Sequence, residues 1–136
     1  MTTTPPTATR PTARLTPRRE AVAQCLATAG DFRSAQELHG DLANAGTKVG
    51  LATVYRALAD LVEVGRVDAL TRPDGETVYR ACSGSHHHHL VCTECGTTVE
   101  VADDRVEQWA SEMARQHGFD VVQHQVEVFG RCANCR

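Results

Sequence analysis

Two Cys-x-x-Cys pairs, Cys92-Thr-Glu-Cys95 and Cys132-Ala-Asn-Cys135, constrain this chain more than any other feature. Each pair offers two sulfurs from one tight turn, and four thiolates satisfy a tetrahedral zinc ion with no coordination position left open. Such a site is structural, and it ties the end of the last strand back to the turn after an earlier one. Neither a disulfide scaffold nor a thioredoxin-like redox pair needs two matched pairs, and no βαβ pattern surrounds the first. The N-terminus is rich in Thr and Pro and carries no signal peptide. No apolar run approaches the ~20 residues of a membrane span. The expectation is a cytoplasmic protein with reduced thiols and no membrane partner.

Four consecutive histidines, His86 to His89, run directly towards the first pair. The run is internal and abuts ligating cysteines, which argues against a purification tag. In an extended segment successive side chains point to opposite faces. His86 and His88 then face one way, and His87 and His89 the other. The run therefore serves two sites, each needing two more ligands. For one face the candidates are Cys82 and Asp68. A Cys-His-His-Asp set is tetrahedral, and its thiolate favours zinc over iron or manganese. Spacing alone also admits Cys82 as a buried thiol and Asp68 as a surface carboxylate. For the other face the candidates are Glu107 and His124, for which a solvated carboxylate and a satisfied core histidine are the competing readings. His39 and His117 read as surface residues.

The net charge of −3 hides an asymmetry: residues 1–66 carry eight basic and six acidic side chains, residues 67–136 six and eleven. A basic first half and an acidic, ligand-rich second half suggest a division of labour. Residues 1–13 lack apolar periodicity and read as a disordered arm. Thr16-Pro17 is a cap followed by proline at the first helical position, and Val22, Cys25, Leu26 and Ala29 then recur at helical spacing. Cys25 lies on that stripe as a core thiol. Ser34-Ala-Gln-Glu37 is a capping box opening a second helix with Ala35, Leu38, Leu42 and Ala45 inward. A third helix turns Leu51, Val54, Leu58, Leu61 and Val62 inward and Thr53, Arg56 and Asp60 outward, with Tyr55 at its flank. Two strand-like runs flank the turn Arg72-Pro-Asp-Gly75. Three short helices and a hairpin make a winged helix-turn-helix, in which the third helix enters the major groove. Beyond Cys82–Ser85 the pattern predicts a strand over His86–Cys92, another near Thr98–Val101, a helix over Asp103–Gln116 and a long strand over Asp120–Phe129.

The chain resembles the ferric uptake regulator family of bacterial metal-dependent repressors, most closely its zinc-sensing branch. The residues that carry the resemblance are Ser34-Ala-Gln-Glu-Leu38, Leu51-Ala-Thr-Val-Tyr-Arg56, Asp74-Gly75, His86–His89 and both cysteine pairs. It implies an α+β homodimer: a winged-helix DNA-binding domain (residues 14–81), a hinge (82–85) and a small α/β dimerisation and metal-binding domain (86–136). It further implies a regulatory hinge site of Asp68, Cys82, His87 and His89. A second regulatory site of His86, His88, Glu107 and His124 is implied as well, beside the structural set Cys92, Cys95, Cys132 and Cys135. Two to three Zn2+ per subunit follow. Tyr55 and Arg56, beside the outward Thr53, would contact the operator. The chain departs from iron- and peroxide-sensing relatives at three places. Phe32-Arg33 stands where they commonly carry His-Pro, His88 where they have an acidic residue, and Cys82 where they have a carboxylate.

The sequence thus points to a non-enzyme: a zinc-responsive repressor that binds palindromic double-stranded operator DNA, controls zinc uptake genes and takes no small organic ligand. An iron or peroxide sensor of the same family is the nearest alternative. A zinc hydrolase lacks its His-Glu-x-x-His motif here, and a metal-buffering protein without DNA contact is the reading that a failure to bind any DNA would favour.

Overall fold

A computed structural model describes residues 16–82 and 86–136. The arm at 1–13 and most of the expected hinge segment lie outside the described residues. The first unit holds α1 (Pro17–Ala29), β1 (Arg33–Ser34), α2 (Ala35–Asn44), α3 (Leu51–Glu63), β2 (Val67–Thr71) and β3 (Thr77–Ala81). Thr16 caps α1, its hydroxyl accepting from the Arg19 N–H, with Pro17 as the first helical residue. Ser34 caps α2 by accepting from the Glu37 N–H at 3.1 Å. The Glu37 carboxylate turns to Arg33, 3.4 Å away.

The apolar stripes of the three helices meet in one core of Val22, Leu26, Leu38, Leu42, Val54, Leu58 and Leu61. Ala57 joins it, whereas Ala45 and Val62 are exposed. Ala45 is the C-cap of α2 and Val62 lies in the last turn of α3, where each helix leaves the core. Cys25 is half-buried against the core, and burial raises its thiol pKa. The wing hairpin pairs β2 with β3 antiparallel, and the two-residue β1 adds to the far edge of β3. Its turn places Gly75 at φ 90°, a backbone region open to glycine and strained for other residues.

The second unit holds β4 (His88–Cys92), β5 (Thr98–Val101), α4 (Asp104–His117) and β6 (Glu127–Gly130). Asp103 caps α4, accepting from the Arg105 N–H at 2.8 Å. The sheet order is β5-β4-β6, with β5 antiparallel and β6 parallel to β4. Two strand expectations need correction. The first strand begins at His88, not His86. The last covers Glu127–Gly130, not Asp120–Phe129. β6 forms only where β4 offers a ladder, from His89 opposite Glu127 to Cys92 opposite Gly130. Val126 still accepts from the His89 N–H at 3.3 Å, but no ladder pairing precedes Glu127, and Val122 is 94% exposed. A strand without a neighbour leaves its backbone groups unpaired.

A small apolar cluster joins the two units: Phe32, Leu70 and Val78 from the first, Val91 and Phe129 from the second. No helix among the described residues is long and apolar enough to cross a membrane.

Candidate metal centres and nucleic-acid interface

The two cysteine turns lie at the C-terminal ends of the parallel strands β4 and β6, which is why they meet. The four sulfurs lie within 4.8 Å of one another, and Cys95 Sγ is 3.7 Å from Cys132 Sγ. A tetrahedron of sulfurs at the usual zinc distance has edges of about 3.8 Å, so the set fits zinc. The Cys132 N–H donates to Cys92 Sγ at 3.3 Å. Backbone N–H groups of Cys95 and Cys132 bring the Cys92 thiol down to about 6, and the Thr97 hydroxyl lowers Cys95. Cys135 is pushed up to about 12 because its proton is held by the Cys132 and Cys95 sulfurs. So many thiolates cannot coexist in one place without a cation, and a divalent ion removes that conflict.

The histidine run divides as alternation requires. His86 and His88 stack edge to face with centroids 4.8 Å apart, and so do His87 and His89. The first pair meets Glu107 from α4 and His124 from the segment before β6. Glu107 Oε1 lies 3.1 Å from His86 Nε2 and 2.7 Å from His88 Nε2. Glu107 Oε2 lies 2.5 Å from His124 Nε2. Contact with His88 holds the Glu107 carboxyl below the usual glutamate range, helped by His124 and His86. His86 Nε2 and His124 Nε2 face each other at 3.1 Å. At that distance the two ring nitrogens can share a proton or hold a common cation. His124 reaches the site from irregular chain rather than from the valine-lined strand face that its neighbours suggest.

The second pair meets the wing. Asp68 Oδ2 on β2 lies 2.5 Å from His87 Nε2 and 3.0 Å from His89 Nε2. His89 is buried, and burial lowers its pKa against the opposing pull of Asp68. Its Nδ1 is buried without a hydrogen-bond partner, and its Nε2 engages Asp68. The donor atoms that converge here are those of Asp68, His87, His89 and Glu100. Cys82 is not in that convergent set; its thiol donates to the Gly65 carbonyl at 3.5 Å. Glu100 escapes spacing arguments, but it sits directly opposite His89 in the β4–β5 ladder. That register depends on a long-range pairing.

On α3, Tyr55 and Arg56 are exposed and Thr53 is half-buried, on the side away from the core. Arg56 Nη2 donates to Thr53 Oγ1 at 3.4 Å.

A winged helix joined to a second domain by clustered side chains that could hold metal defines a metal-responsive DNA-binding regulator. The chain belongs to the ferric uptake regulator family, whose sequence model matches residues 11–129. It is 53% identical over 123 residues to the zinc uptake regulation protein of Mycobacterium tuberculosis, covering 90% of this chain and 95% of that protein. The solved structure of FurB, a zinc uptake regulator from M. tuberculosis, is also 53% identical, spans 88% of this chain and 92% of that one, and superposes with a TM-score of 0.51. A zinc uptake regulator solved with zinc and DNA is 28% identical, spans 89% of this chain and 82% of that one, and superposes at 0.75.

Proposed function

We propose that this protein is a zinc-responsive transcriptional repressor that binds palindromic operator DNA as a homodimer and controls genes of zinc uptake. One observation carries the regulatory part: Asp68 belongs to the wing, while His87 and His89 lead the second sheet, and their donor atoms converge. Whatever holds those atoms together fixes the winged helix against the second domain. Bound zinc supplies a divalent charge and a demand for four donors. Asp68, His87, His89 and Cys82 are the hinge ligands in this reading, with Cys82 at the joint itself. His86, His88, Glu107 and His124 form a second regulatory site that tunes affinity, and Cys92, Cys95, Cys132 and Cys135 hold a structural ion. That gives up to three zinc ions per subunit.

Fixing the domain pose sets the spacing of two α3 helices in a dimer at about one DNA turn, ~34 Å, for which an operator of two half-sites is built. Tyr55, Arg56 and Thr53 lie on the face that would enter the groove. The dimer surface is the apolar face of the second domain, with Trp109 61% and Phe119 72% exposed. The TM-scores support a pivoting joint. The more distant zinc- and DNA-bound regulator superposes better than the 53% identical one, as expected where domain pose, not domain fold, varies. Such a regulator works in the cytoplasm.

An operator gel-shift titration tests the reading. Binding is expected with excess zinc and lost with chelator. Cys82→Ser is expected to remain a folded dimer that no longer binds. Equal operator affinity in chelator and in zinc would sink the proposal.

A further inference from the structure

Two cross-strand pairs, one from each sheet, face each other at the domain joint. In the wing, Asp68 on β2 stands directly opposite Arg80 on β3. In the second domain, His89 on β4 stands directly opposite Glu100 on β5. Neighbours of this kind usually pair within their own ladder. Here they exchange partners. Asp68 turns to His87 and His89, while the Arg80 guanidinium crosses the joint to Glu100 Oε1. Arg80 is anchored for this: its Nε donates to the Gly30 carbonyl at the end of α1 at 2.8 Å, and its side chain is only 17% exposed.

Glu100 is thereby the one carboxylate near the hinge donors that already has a cation. Its Oε1 lies 4.0 Å from His87 Nε2, within reach of any ion held there. Left free, Glu100 would add a second carboxylate to Asp68, His87 and His89. An oxygen-rich set of that kind suits manganese or iron, which take six ligands, whereas a thiolate in a set of four suits zinc. Arginine stays charged throughout the physiological range and its planar fork holds a carboxylate firmly. A metal ion sharing Glu100 with that guanidinium would meet a like charge.

We propose that Arg80 is a metal-specificity residue: by holding Glu100 it denies the hinge site a second carboxylate and leaves the fourth position to Cys82. The inference rests on the hinge reading above and adds the selection of the ion.

Competition between Mn2+ and Zn2+ for the hinge tests it, in full-length protein whose cysteine-cluster zinc is retained, with free Mn2+ counted by electron paramagnetic resonance. Arg80→Met is expected to cut the preference for Zn2+ by about tenfold or more. Arg80→Lys, which keeps a cation beside Glu100, is expected to stay within about threefold of wild type. Arg80→Met combined with Glu100→Gln is expected to recover the wild-type preference, because an amide is a poor replacement ligand. An unchanged preference in Arg80→Met overturns the proposal, as does a double variant as permissive as Arg80→Met. If Arg80→Met loses its cysteine-cluster zinc through misfolding, Arg80→Gln takes its place with the same expectations. Co2+ loading of Cys82→Ser separates the two levels of the argument. Loss of the thiolate-to-cobalt absorption band supports Cys82 as a hinge ligand. A persisting band sinks the hinge reading itself, and this proposal with it, whatever the Arg80 variants do.

Discussion

The two domains are held together by different physics. In the winged helix, three amphipathic helices and a hairpin bury Val22, Leu26, Leu38, Val54, Leu58 and Leu61 almost completely. In the second domain α4 has no fully buried residue, and among the buried residues of its sheet are Val91, Cys92, His88 and His89. A sheet of three short strands beside a largely solvated helix buries little apolar surface, and small domains of that kind usually need metals or partners. Three clusters of side chains that could hold a metal ion and an exposed apolar face are the means the proposed reading assigns to it. The first domain holds through its own packing, and in the proposed reading the second depends on what it binds.

The strongest way to break this contrast is to remove the cysteine cluster. Cys92→Ser, or exhaustive chelation, is expected to unfold the second domain, since structural zinc contributes on the order of 10 kcal/mol to folding of such units. The helical winged domain should survive. Circular dichroism with limited proteolysis would read both, and joint unfolding of the two domains would refute the contrast. Leu58→Ala is the mirror experiment. It should cost the winged helix about 2–5 kcal/mol in denaturant titrations and leave the zinc content of the cysteine cluster unchanged. Phe119→Glu, on the proposed dimer face, should weaken self-association by about 1.5–3 kcal/mol in sedimentation equilibrium, with the melting of the winged domain unmoved. The smallest effect concerns the cap of α4. Arg105 holds the Asp103 carboxyl down, from an ordinary 3.8 to about 2. A depressed carboxyl stabilises the fold above its unfolded pKa and loses that contribution as pH falls through the folded value. The contribution of Asp103 is therefore expected to be whole above about pH 4 and to fade towards pH 2. A carboxyl NMR titration of Asp103 with an ordinary midpoint would contradict it.

What the sequence makes legible follows from the range of the forces involved. Helix stripes, the Ser34 and Thr16 caps and the Asp74-Gly75 turn are local, and the three helices and the hairpin form where those signals lie. Alternation in the histidine run is local too. It holds even though the strand begins at His88, because an extended lead-in suffices to separate the faces. The misses are long-range. Glu100 joins Asp68, His87 and His89 through the register of β5 on β4, and Arg80 reaches it across two sheets. No periodicity encodes either contact. The valines between Asp120 and Phe129 look like a strand, yet strand formation needs a ladder and β4 supplies one only from Glu127 on.

Phe32 is 3% exposed, sits between α1 and β1, and presents itself to the His89 ring edge to face, centroids 5.1 Å apart and planes at 79°. Its ring current falls on an imidazole that belongs to the other domain. The proton resonances of His89 therefore carry a record of whether the joint is shut, in solution and without a label. In metal-loaded protein, the fraction of closed molecules can be followed by chemical shift as DNA is added.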